Sequence, residues 1–156
     1  MIRNIWIVCW AFTFAIGLSQ IPSFTQQYLQ AVNSAAAELK KIVDGDRKDA
    51  QEAGLTMEQY VAQFTSNSNS LFVKQGNRIS GRIEREEFLI GLRDKLLATQ
   101  EWLRPFVILI EPDVQIFEQT ALLYSFTLAL DPLYAFVGAL LSLIINSLFF
   151  VIFRRA

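Results

Sequence analysis

Leu133–Phe153, LYAFVGALLSLIINSLFFVIF, is 21 residues long and carries no charged side chain. As a helix it would rise about 31 Å, close to the ~30 Å of a bilayer's hydrocarbon core. Core helices of globular domains seldom run that far without a charge, so the pattern predicts a transmembrane helix, followed by Arg154 and Arg155. The other end of the chain is similar, with no charge from residue 4 to residue 37 and an apolar, aromatic run from Ile5 to Leu18. Two readings of that run stand. The 14 residues Ile5–Leu18 suit the apolar region of a signal peptide, with Ala15-Ile16-Gly17 as a loose small-x-small cleavage site. The 20 residues Ile5–Phe24 suit an uncleaved signal anchor. The continuation of the uncharged stretch to Phe24 favours the anchor.

Basic residues lie on the outer flank of both segments, Arg3 before the first and Arg154 and Arg155 after the second, with no Lys or Arg from 4 to 39 or from 105 to 153. Positive charges beside membrane ends stay cytoplasmic. Both termini are therefore expected in the cytoplasm and residues ~25–131 on the far side, the periplasm in a bacterium. That central region holds 11 Lys/Arg against 15 Asp/Glu, a net −4.

Composition narrows the chemistry. The 156 residues include no His and one Cys. The commonest general base and metal ligand is missing, and neither an intrachain disulfide nor a Cys-based zinc site can form. Cys9, inside the first apolar segment, reads as packing. A formal net charge of −1 argues against a nucleic-acid surface. No cofactor is expected.

Between the apolar ends the periodicity is helical. Ser23-Phe24-Thr25-Gln26 fits a capping box, opening an amphipathic run through Tyr28, Leu29, Val32, Ala36, Leu39 and Val43. Pro22 predicts a kink or boundary just before it. Asp44-Gly45-Asp46 is either a break or a solvated face on a continuing helix. Gly54 then suits a helix end, and Thr56-Met57-Glu58-Gln59 predicts a second capping box, with Leu55 stapling onto Tyr60. Thr65–Ser70 reads as a turn. Phe72, Ile79, Ile83, Ile90 and Leu97 mark a long helix from about Leu71 to Leu103, ended by Arg104-Pro105. Glu111-Pro112-Asp113 and Asp131-Pro132 are helix starts, Asp131 capping the final helix. The expected fold is an all-α membrane protein. Two transmembrane helices, in 1–24 and 132–156, flank an extended antiparallel helical hairpin with short connecting helices in 25–131.

Gln20-Ile21-Pro22-Ser23-Phe24-Thr25-Gln26-Gln27-Tyr28, Gly54-Leu55-Thr56 and Pro132-Leu133 before a basic end resemble a bacterial inner-membrane family, domain of unknown function 2937, along nearly the whole chain. The resemblance implies an inner-membrane location and no assigned activity, and it carries over no catalytic residue.

Most polar clusters read as solvated surface. Asp44, Asp46 and Asp49 lack the ligand spacing of a calcium loop, since Gly45 comes too early and Arg47-Lys48 interrupt. Glu84, Glu86 and Glu87 lie among Arg82 and Arg85 and read as surface ion pairs rather than a catalytic carboxylate pair. One pattern stands out. Gly138, Ser142 and Asn146 recur every four residues, and Ala11 and Ala15 offer a matching small face on the first segment. Small residues let helices approach closely, so these five positions are expected to mediate helix packing, within the chain or with a partner. Trp6, Trp10 and Tyr134 are candidate interface anchors. The expected function is a non-enzymatic accessory or scaffold subunit of a bacterial inner-membrane assembly, in contact with membrane lipids and a membrane-protein partner or a second copy. The alternative is a lipid- or hydrophobic-ligand-binding membrane protein using Phe106–Ile110 and Ala121–Leu130.

Overall fold

The structure, a computed structural model, describes the backbone of residues 2–124 and 132–154, and within these the side chains of all but 2–5, 7, 8, 11, 146 and 148–154. Among the described residues the chain forms α1 (Ile2–Ser19), α2 (Ile21–Glu52), α3 (Met57–Thr65), α4 (Ser70–Ala98), a 3-10 turn (Glu101–Leu103), α5 (Arg104–Ile110), α6 (Val114–Leu123) and α7 (Pro132–Arg154). They divide into two compact units. One comprises Met1–Tyr28 and Gln100–Ala156, the other Leu29–Thr99.

The expectation of two transmembrane helices is corrected: among the described residues, no helix is long and apolar enough to cross a membrane. The physical reason at the N-terminal end is a break. Ile5–Phe24 is not one helix, because α1 stops at Ser19, the chain turns at Gln20 and α2 begins at Ile21 with Pro22 in its first turn. The 18 residues of α1 rise about 27 Å.

The first unit is tied together at the α1–α2 corner. The Ser19 hydroxyl donates to the Ile16 carbonyl at 2.7 Å, and the Tyr124 hydroxyl reaches the Gln20 side-chain oxygen at 2.9 Å. Phe24 meets the rings of Phe117 and Tyr124 edge-on, at 5.4 and 5.7 Å. Tyr28 is fully buried, and its hydroxyl accepts the Asp113 backbone N–H at 2.8 Å. Asp113 in turn caps α6 by accepting from the Ile116 N–H at 2.9 Å.

The second unit is built on an apolar seam. Val32, Ala36, Val43 and Ala50 are buried on α2, and Ile79, Leu89, Leu92 and Leu96 on α4. The spacings of three, four, seven and ten residues keep each set on one helical stripe. Asp44-Gly45-Asp46 lies within α2, so it is a surface on a continuing helix. α3 rests on α4 where Gly76 leaves room: a Cβ there would lie 2.7 Å from Thr65 Cγ2 and 2.9 Å from Phe64 Cβ. Gly54 takes φ +70, a left-handed backbone that suits glycine at a helix end.

Several boundaries differ from expectation. Helix α2 opens at Ile21, so Ser23 is inside it rather than its cap. The long fourth helix ends at Ala98, and Pro105 opens α5 instead of closing α4. Proline is tolerated in a first turn, where its missing N–H has no helical partner to lose. Asp131 lies outside the described residues. The Thr56 box is as expected: its hydroxyl accepts from the Gln59 N–H at 3.3 Å, and the Gln59 side chain accepts from the Thr56 N–H at 3.0 Å. Glu58, in the same first turn, is held below its ordinary pKa by hydrogen bonds from its own backbone N–H and from Thr56.

Replacing Thr56 with Ala removes one half of that box and frees the other. Thr56→Ala is expected to lower stability by about 1 kcal/mol, read as a shift in the denaturant midpoint at unchanged slope. Unaltered stability would show that the box contributes nothing.

Candidate functional site

Glycine at 138 fixes how α1 and α7 meet. A Cβ built there would fall 2.6 Å from the Phe14 carbonyl oxygen, 2.8 Å from Ala15 Cα and 2.9 Å from Ala15 N. These are backbone atoms, which cannot swing aside. The helices therefore approach main chain to main chain, which glycine permits and a side chain forbids. Ser142, one turn on, is buried. The structure thus brings Ala15 and Gly138 into contact and buries Ser142 in the same unit. The side chains of Ala11 and Asn146 lie outside the described residues.

Spending the small face on the contact turns the large residues outward. On α1, Trp6, Trp10 and Phe12 are exposed, and on α7 so are Leu133, Phe136, Leu140, Leu143 and Ile144. Trp6 and Trp10 meet edge-on with centroids 5.9 Å apart, and Trp10 lies 5.6 Å from Phe14. Cys9 is also exposed, so the packing role expected for it is corrected. Elsewhere in this unit Phe106, Leu109 and Ile110 on α5, and Leu122 and Leu123 on α6, are exposed. Ile110 and Leu122 keep 76% and 84% of their surface. Contiguous exposed apolar patches are a feature of interaction surfaces.

The charged groups of the second unit are engaged with each other. Arg47 forms a fork onto Glu86, at 2.8 Å to Oε2 and 3.3 Å to Oε1, and also holds Asp44 at 2.7 Å. Hydrogen bonds to Glu86 and then to Asp44 raise the guanidinium above its already high ordinary pKa. Arg82 holds Asp46, with Nη2 3.0 Å from Oδ1. Nearby Tyr60 is pushed above its ordinary pKa by burial and then by Asp49 and Asp46. The Arg47–Glu86 and Arg82–Asp46 pairs bridge α2 and α4. Among the described residues, no group of three or more His, Cys, Asp or Glu could hold a metal ion.

Glu86, expected as a surface ion-pair residue, is instead buried: its side chain is only 3% exposed. The missed signal is its position. Glu86 stands seven residues after Ile79 and three before Leu89, on the buried stripe of α4. A charge at such a position needs a partner, and Arg47 is 39 residues away along the chain.

Two predictions follow from these geometries. Gly138→Leu should wedge α1 from α7 and cost about 1–3 kcal/mol, the range for overpacking, measured by unfolding in mild detergent; equal stability would mean the helices are not in contact there. Arg47→Ala should cost more than Glu86→Leu. The first leaves a buried carboxylate without its cation, at about 1–3 kcal/mol, while the second leaves a partly exposed guanidinium free to hydrate. The reverse order would contradict the burial of Glu86.

The family model described as Protein of unknown function (DUF2937) matches residues 2–156. No curated protein and no solved structure matches significantly.

Proposed function

The chain belongs to the DUF2937 family of proteins of unknown function, and on that premise we propose that it is a non-enzymatic accessory or scaffold subunit of a bacterial inner-membrane assembly. It docks through the outward apolar surface of the α1–α7 pair, and its charged helical unit positions or shields something else. The observation that carries this reading is the way the pair is used. Gly138 and Ala15 are consumed in the intramolecular contact, leaving Trp6, Trp10, Phe12, Phe136 and Leu140 outward. Such a surface is costly in water, at roughly 25 cal/mol per Å² of apolar area, and is matched by lipid chains or by an apolar partner. Exposed tryptophans suit the boundary between apolar and wet phases. Non-catalytic action is supported by the lack of His and by the engagement of Asp44, Asp46 and Glu86 with arginines.

Two measurements test the proposal. Purified full-length protein should float with phospholipid vesicles, and lipids brominated on their acyl chains should quench the fluorescence of Trp6 and Trp10 in a Trp102→Phe background. Isolation in mild detergent, followed by mass spectrometry, should return a stoichiometric membrane protein. Failure to float, with unquenched tryptophan, would overturn the membrane location. A monodisperse monomer retaining one specific lipid and no protein would replace the scaffold reading with lipid binding.

A further inference from the structure

We propose that the outward face of α4 is a self-association surface, which takes a second copy of this chain in antiparallel register. Gly81, Glu84, Phe88, Gly91, Lys95 and Ala98 are all exposed. They follow one another at spacings of three, four, three, four and three, the spacing of a helix–helix seam. The two glycines are not needed inside the chain, for a Cβ at Gly81 or Gly91 would meet nothing within 4 Å. Neither has a positive φ. Glycine in the middle of an exposed helix is a poor choice beside alanine, and it gains a use where another helix comes close.

The order of the seam identifies the occupant. Laid against its own reverse, Gly81 faces Ala98 of the second copy, Glu84 faces Lys95, and Phe88 faces Gly91. A two-fold axis between Leu89 and Ile90 repeats each contact, as a self-complementary dimer requires. Small meets small, acid meets base, and an exposed aromatic meets a missing side chain. The Phe88 ring, half-exposed beneath the Arg85 guanidinium at 5.7 Å, would gain cover against the Gly91 backbone. Parallel pairing instead sets Glu84 on Glu84 and Lys95 on Lys95, with Phe88 opposing itself. An unrelated helix would need only one half of this complementarity. The inference concerns the second unit alone and does not depend on what covers α1 and α7.

The test uses the full chain in detergent micelles, in a Cys9→Ser background. Phe88→Cys combined with Gly91→Cys should give a disulfide-linked dimer on mild oxidation. Gly81→Cys combined with Ala98→Cys should do the same, while Gly81→Cys alone should not. Without cysteines, Glu84→Lys should lower the dimer fraction by roughly tenfold, two like-charge contacts acting together, and adding Lys95→Glu should restore it. Gly91→Leu should abolish the dimer while leaving helix content intact by circular dichroism, since its side chain enters open space within the monomer. Capture by Gly81→Cys alone, indifference to Glu84→Lys, or a monomer at every concentration would overturn the proposal.

Discussion

One backbone contact organises the first unit. Gly138 lies where any Cβ would enter the Phe14 carbonyl and the Ala15 main chain. Close approach at one point dictates which sides of α1 and α7 face each other. It buries Ser142 and leaves the bulky apolar residues no interior to enter. The exposed tryptophans and phenylalanines are thus a consequence of how the pair is packed. Small residues hold the helices together, and large ones face outward.

The second unit solves a different problem. Its α2 and α4 stripes are rich in Val, Ala, Ile and Leu, and such seams tolerate sliding. The fork from Arg47 to Glu86 and the Arg82–Asp46 pair have partners at fixed positions. A buried ion pair adds little net stability, because desolvation offsets attraction. Its consequence here is positional: any other register leaves the Glu86 carboxylate buried without its cation. Gly76 serves the same end by letting α3 settle onto α4.

Local chemistry was legible in the sequence wherever neighbours in the chain decide the outcome. The Thr56 box, the Gly54 helix end, the Pro22 boundary and the buried positions Tyr28, Val32, Ala36 and Val43 are of this kind. The four-residue periodicity singled out Gly138 and Ala15 as small positions but did not decide whether they meet each other or a partner, because that depends on how two distant helices pack. The burial of Glu86 was not legible, because nearby Arg82 and Arg85 made a surface ion pair the local solution, and the true partner is distant in sequence. Pro105 misled because the same residue can close one helix or open the next. Apolar length also misled, since an uncharged run from residue 4 to 37 says nothing of the turn at Gln20 that divides it. The family match confirms the resemblance but brings no activity with it.

Spin labels at exposed Thr13 and Val137, in a Cys9→Ser background, test the central contact most directly. Double electron–electron resonance on the full chain in lipid nanodiscs should give one narrow distance distribution. Its centre should lie within about two helix diameters, ~20 Å, and Gly138→Leu should broaden it and shift it outward. A broad distribution in the unsubstituted chain, or one that Gly138→Leu leaves unchanged, would contradict the packed pair on which this account rests.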